Sequence, residues 1–125
     1  MIADTTFLSD LIREVRGEVR GPARQFFAAN RNESIRLSMI SAGEIAVLFP
    51  TNAAAWAWLA RWRVLPLHPG IVDCAADVDR ELIRSGERLG ENDNWIAGFS
   101  RYYRQPVVSR DEAFDRVPGL RRVTY

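Results

Sequence analysis

The sequence predicts an α/β fold: a central parallel sheet of four or five strands with helices on both faces. Three observations carry that prediction. Short aliphatic and β-branched runs alternate with segments whose apolar residues recur at the three- and four-residue spacing of an amphipathic helix. The 125 residues suffice for one hydrophobic core and not for two, so residues 1–125 read as a single domain. Four acidic residues, Asp4, Glu44, Asp93 and Asp111, each stand where an apolar run hands over to a helix.

Residues 2–8 read as the first strand, with Thr5, Thr6 and Phe7 favouring extended backbone. Ser9 then offers an N-cap to a helix reaching about Val15. Gly17 and Gly21 interrupt the chain. Pro22 suits a first helical position, and Phe26 and Phe27 give that helix an apolar side before residues 30–32 end it. Ile35, Leu37 and Met39 alternate with Arg36 and Ser38, which predicts the second strand. Residues 41–49 predict a helix stopped by Pro50. Asn52 is the expected cap of the next, which carries Trp56, Trp58, Leu59 and Trp62 at helical spacings. Residues 64–67 read as a short strand closed by Pro69 and Gly70. Ile71, Cys74, Ala75, Val78 and Leu82 mark one face of a long helix to about Ser85. Asn92 is the expected cap of another, with Trp95, Ile96, Phe99 and Tyr103 turned inward. Val107 and Val108 form a strand, residues 111–116 a short helix and residues 120–125 a last strand.

Composition narrows the function classes. Apolar residues make up 47% and charged residues 26%, ordinary for a globular chain. No apolar run reaches about 18 residues, the length of a membrane span. The first residues lack the basic segment and apolar stretch of a secretory signal, so a cytoplasmic protein without a membrane partner is expected. Cys74 is the single cysteine, which excludes an internal disulfide and fits a reducing compartment. The net charge of +1 does not advertise a polyanionic partner. All 17 basic residues are arginine. Without lysine there is no P-loop lysine for a phosphate and no amine for Schiff-base chemistry. Receiver domains and haloacid-dehalogenase-type phosphatases have a similar first strand, but they too normally place a lysine near the phosphoryl group.

Each of the four acids has an alternative local role. Ser41 to Glu44 has capping-box spacing, and so has Ser109 to Glu112. Asp93 would occupy the first turn of a helix, where negative charge is favoured by about 0.3–1 kcal/mol. Asp4 would simply end a strand. Capping does not explain why all four converge. In an α/β sheet, strand C-termini and helix N-termini share one edge, and ligands bind in the crevice outside it. Four carboxylates there repel one another unless a cation lies between them. Oxygen ligands suit Mg²⁺ and Mn²⁺, and such a set handles phosphoryl oxygens. Thr5, Thr6, Asn94 and Ser109 adjoin the acids and are expected to orient carboxylates or water. Metal-dependent cleavage of a phosphodiester is the chemistry this pattern implies.

The same segments resemble PIN-domain nucleases. Asp4-Thr5-Thr6 resembles the family's opening Asp-Thr-Asn or Asp-Thr-Ser, and residues 41–46, Ser-Ala-Gly-Glu-Ile-Ala, its Glu-bearing helix. Residues 89–97, Leu-Gly-Glu-Asn-Asp-Asn-Trp-Ile-Ala, are similar to its Gly-x-x-Asp-x-x-Ile-Ala stretch. Residues 107–114, Val-Val-Ser-Arg-Asp-Glu-Ala-Phe, with Val117-Pro118-Gly119-Leu120, resemble its closing Thr-Arg-Asp-x-x-Phe and Pro-Gly-Leu segments. The match spans nearly the whole chain, and its size is similar to the VapC-type toxins of toxin–antitoxin pairs. The resemblance implies a Mg²⁺- or Mn²⁺-dependent endoribonuclease with Asp4, Glu44, Asp93 and Asp111 as its acidic set, Asp4 and Asp93 being direct or water-mediated ligands. It also implies a homodimer, an RNA substrate and a small inhibitory antitoxin. Thr6 replaces the usual Asn or Ser and Ser109 the usual Thr, both keeping a hydroxyl. Few apolar residues precede Asp4, which implies a short first strand.

The remaining chemistry-bearing residues read more plainly. His68, between two prolines, is a loop residue; Cys74 is a small buried hydrophobe. Trp56, Trp58 and Trp62 are core residues or, in part, a partner surface. Arg61, Arg63, Arg101, Arg104 and Arg110 are candidates for RNA phosphates, with Arg110 foremost because it adjoins Asp111. Two other functions fit the pattern less well: a non-catalytic interaction module with a vestigial acidic site, and a metal-dependent phosphatase. The first has no need of all four acids. The second lacks its lysine and has Thr6 where a second Asp is expected.

Overall fold

The structure is a computed structural model that describes residues 1–125. Five strands, β1 (Ile2–Ala3), β2 (Arg36–Ser38), β3 (Arg63–Leu65), β4 (Val107–Val108) and β5 (Arg122–Val123), form one sheet in the order β3-β2-β1-β4-β5. Every pairing is parallel. The helices are α1 (Thr5–Arg16), α2 (Pro22–Ala29), α3 (Met39–Ala46), α4 (Asn52–Leu59), α5 (Pro69–Ser85) and α6 (Glu91–Tyr103), with a 3₁₀ turn at Glu112–Arg116. The α/β class stands, at the higher of the two expected strand counts.

Side chains alternate across a strand, so two consecutive apolar residues serve two cores. Ile2 and Val107 face Ile71, Val78, Leu82, Ile96 and Phe99 on the side of α5 and α6. Ala3, Leu37 and Val108 face Phe7, Leu8, Ile12 and Ile45 of α1 and α3. Helices α5 and α6 meet closely at Gly98, where a Cβ would lie 2.7 Å from that of Ala75. Helix α2 is clamped to α1 by a different device. Its N-cap, Gly21, has no side chain to offer, and Glu14 of α1 instead accepts from the Ala23 N–H at 3.2 Å and the Arg24 N–H at 2.8 Å. A side chain at Gly21 would collide with that carboxylate at 2.4 Å.

Several element starts differ from the sequence reading. Residues 5–8 are helix, not strand: the Asp4 carboxylate accepts from the Phe7 N–H at 2.6 Å, and this cap outweighs the β propensity of Thr5 and Thr6. Ser9 is therefore inside α1. Ser38 caps α3 through the Ser41 N–H at 2.9 Å, so the helix starts before Ser41 and takes Met39 from the expected strand. Thr51, not Asn52, caps α4, and Trp62 lies beyond it. Gly90, not Asn92, precedes α6. His68 occupies the N-cap position of α5 without a side-chain cap bond, its ring edge-on to Tyr102 at 4.5 Å. Cys74 is half-buried.

Candidate active site

Strand β1 lies at the centre of the sheet. The chain steps outward from it to β2 and β3, then crosses back to β4 and β5 on the other side. At such a reversal the flanking connections diverge and open a crevice at the strands' C-terminal ends. Asp4 leaves β1 into that crevice, and Ser109 and Asp111 leave β4 beside it. Glu44 comes in from the second turn of α3 and Asp93 from the first turn of α6.

Asp4 is buried, 2% exposed. One carboxylate oxygen takes the Phe7 N–H and the other the Ser109 hydroxyl. Burial pushes its carboxyl up to about 6; the Ser109 and Phe7 hydrogen bonds oppose this, and the charges of Asp93 and Asp111 add to it. The Asp93 carboxyl is also held above its ordinary range, by burial first and then by Asp111 and Glu44. These mutual effects place all four acids in one electrostatic neighbourhood. Glu44 accepts from the Thr5 hydroxyl on one oxygen and from the Asn92 amide, at 2.7 Å, on the other. Asp111 caps the 3₁₀ turn through the Ala113 N–H at 2.8 Å. Ser109, fully buried, joins two acids: its hydroxyl donates to Asp4 and accepts from the Asp111 N–H at 2.9 Å.

Neither capping box forms. Glu44 sits too far along α3 to reach back to Ser41, and Ser109 bonds to Asp4 while Asp111 itself is the cap. Of the expected supporting residues, Thr5 and Ser109 touch the acids. Thr6 is exposed and bonds to none of them. Asn94 turns the other way and donates to the Ala75 carbonyl of α5 at 3.0 Å. Its neighbour Asn92, read as a cap, is the asparagine that reaches Glu44. Residues 92 and 94 are about 200° apart around a helix, so when Asn94 faces α5, Asn92 faces the acids. Arg110 does not extend over the acids: its guanidinium is taken by Asp10. Arg61 and Arg63 open onto a groove at the other end of the strands.

None of the four acids is in an ion pair; the paired acids are Asp10, Asp77, Asp79, Glu81 and Asp115. No three His, Cys, Asp or Glu side chains stand close enough together to hold one ion as a ready-made cage. The four carboxylates therefore neighbour one another without forming a preassembled cage. Asp4, Glu44 and Asp111 are each drawn to their own hydrogen-bond donors, which separates those charges, while Asp93 is held by none. The donor set nevertheless fits a hard divalent cation, being all carboxylate oxygen, partly desolvated and unmatched by any arginine.

The fold is shared with known complexes. The chain superposes on VapBC2 of Rickettsia felis, bound to a promoter DNA fragment, with a TM-score of 0.78 at 16% identity, covering 99% of this chain and 97% of that one. DNA-bound VapBC of Salmonella typhimurium gives 0.78 at 22% identity, covering 98% and 96%. A toxin–antitoxin complex from Klebsiella pneumoniae gives 0.69 at 19%, covering 95% and 93%. At such identities the likeness is one of fold. No curated protein matches the sequence. The profile of the PIN domain matches residues 1–120, from the first strand through both acid-bearing segments near the C-terminus, and so the chain belongs to the PIN-domain family.

Proposed function

We propose that the protein is a metal-dependent endoribonuclease that hydrolyses RNA phosphodiester bonds and serves as the toxin of a toxin–antitoxin pair. PIN domains are nucleases. One observation carries the reading for this chain: four carboxylates neighbour one another beside β1, none of them in an ion pair, and two are held above their ordinary range. Asp4 and Asp93 would hold Mg²⁺ or Mn²⁺ directly or through water, with Glu44 and Asp111 completing the set. Such an ion, when bound, supplies Lewis acidity toward water and phosphate oxygens. The chain's own part is orientation. Ser109 and the Phe7 N–H fix Asp4, and Thr5 and Asn92 fix Glu44, so that little side-chain entropy is left to lose when the site closes on its ligands. No imidazole competes as general base, since His68 packs on Tyr102, at the end of α6 remote from Asp93.

A small antitoxin is the proposed partner. The toxin–antitoxin neighbour supports this, and so does an arginine-rimmed apolar groove suited to an acidic amphipathic segment. A homodimer is supported by the exposed Val47, Leu48 and Trp56 in and after the α3–α4 turn. One observation favours the second reading, an interaction module with a vestigial site: no three acids are preassembled around one point. Incubating the antitoxin-free protein with structured RNA decides between them. Cleavage that needs Mg²⁺ or Mn²⁺, stops with chelator and is absent in Asp4→Asn supports the nuclease. Absent cleavage supports the module, and cleavage that persists with chelator rejects both readings.

A further inference from the structure

Asp10 is the other buried acid of the chain, 6% exposed on a helix face otherwise filled by Phe7, Leu11 and Ile12. One of its oxygens accepts from both the Arg110 guanidinium and the Tyr125 hydroxyl, the latter at 2.8 Å. The other faces Arg13 at 3.1 Å. The Arg110 guanidinium also lies over the Tyr125 ring, 5.1 Å from its centroid, and that ring stands edge-on to Phe7 at 4.9 Å. Arg110 itself sits between Ser109, which holds Asp4, and Asp111. Its side chain remains 49% exposed.

Stability alone gives little reason for a carboxylate here, because a well-packed apolar residue commonly serves a buried position as well or better than an ion pair. The arrangement does something an apolar residue would not. It grips one edge of the guanidinium and stacks its face, leaving the remaining N–H donors of the fork in solvent. It also keeps the arginine from folding back onto Asp4 and Asp111, where it would neutralise the acids. We propose that Asp10, with Tyr125, is a positioning residue that holds Arg110 at the rim of the carboxylate crevice to grip an RNA phosphate next to the one being cleaved. The inference rests on the nuclease reading for its substrate. An arginine held in this way has already lost much of its rotamer freedom, so less is lost when phosphate binds.

The test uses Asp10→Asn, which keeps an acceptor for Tyr125 while removing the charge, alongside Arg110→Ala and the double variant. Cleavage of total RNA with Mn²⁺ gives KM and kcat. Affinity for a mixed-sequence RNA oligonucleotide is measured in Ca²⁺ across a salt series, and melting temperature controls for folding. Expected for Asp10→Asn and for Arg110→Ala is a loss falling on KM, affinity weakened about tenfold, and a salt slope reduced by about one phosphate contact. Because Asp10 acts through Arg110, the double variant should bind no worse than Arg110→Ala. Arg110→Lys should rescue only part of the loss, since an ammonium cannot be held and stacked in the same way. Equal losses from Asp10→Asn with and without Arg110 would overturn the inference and leave Asp10 as a structural tie. So would unchanged affinity and slope in a protein that cleaves RNA. A wild-type protein that binds RNA but cleaves none rejects the nuclease reading while the binding series still decides the role of Asp10; one that neither binds nor cleaves rejects both.

Discussion

The two ends of α1 are electrostatic opposites. At its N-terminus lie the four carboxylates of the crevice, none in an ion pair. At its C-terminus, about 18 Å away along twelve helical residues, an open groove of about 810 Å³ is lined by Arg16, Arg20, Arg24, Arg31, Arg61 and Arg63 against the single acid Glu33. None of those six arginines is in an ion pair either. The groove's apolar wall is a chain of rings, Phe27 to Trp62 at 5.4 Å, Trp62 to Trp58 at 5.3 Å and Trp58 to Phe49 at 5.9 Å. A net charge of +1 therefore conceals one cluster of unpaired acids and one of unpaired arginines at opposite ends of α1. Charges left unmatched within a fold are available to partners, and these two ends call for partners of opposite sign.

The largest effect expected on this contrast comes from Asp4→Asn. RNA cleavage should fall at least about a hundredfold, and the stabilisation by Mn²⁺ should shrink, since a ligand that binds only the native state raises stability with the logarithm of its affinity. Unchanged Mn²⁺ stabilisation would remove Asp4 from the metal site. Next in size is the loss of support for Glu44. Glu44→Gln removes a repulsive charge and sets an amide N–H₂ against the Thr5 hydroxyl or the Asn92 amide. Thr5→Val removes one donor only. Thermal melts with and without Mn²⁺ should show weakened metal affinity in both, by about 10–100-fold on the scale of lost supporting contacts, and equal or higher stability of metal-free Glu44→Gln.

A smaller effect separates the two kinds of acid by pH. Asp4 binds its proton more tightly folded than unfolded, about 6 against 3.8. In metal-free protein its contribution to stability is therefore greatest below 3.8 and is lost as pH rises through about 6. The arginine-paired Asp79, Glu81 and Asp115 are shifted downward, so their contributions appear above the ordinary carboxylate range and are lost as pH falls. The stability difference between wild type and Asp4→Asn should change across that window and be flat above it; a flat difference throughout would mean Asp4 is ionised like a surface acid. Smallest of all, Arg31→Ala with Arg61→Ala should leave the Mn²⁺-induced melting shift unchanged, because sites this far apart act independently to within about 0.5 kcal/mol. A shift altered as much as in Glu44→Gln would show that the two ends behave as one electrostatic unit.

Much of the fold was legible because it follows from local periodicity. The long face from Ile71 to Leu82, the Pro22 helix start and the paired valines at 107 and 108 all appear as expected. Cap positions were the weak point. Several residues near each start are chemically able to cap, and only packing selects among them: burial of Phe7 and Leu8 draws the helix back to Asp4, and Ser38 acts in place of Ser41. Packing likewise decided which asparagine reaches Glu44, since Asn94 is turned to α5 and Asn92 to the acids. Asp10 carried a signal that went unused, an acid on the apolar face of α1, which has no reason to be there without a buried partner.

What the sequence determined by itself was the alternation of short apolar runs with amphipathic helices and the acids just beyond two strand ends, Asp4 after β1 and Asp111 after β4. Those are properties of neighbours along the chain, set by periodicity and capping chemistry. The tertiary structure alone decided which charges would find partners. Arg110 is adjacent to Asp111 yet binds Asp10, a hundred positions away, while six arginines scattered from position 16 to position 63 meet around one groove. Ion pairing depends on distances of a few ångströms between segments far apart in the chain, and only the sheet order β3-β2-β1-β4-β5 sets those distances.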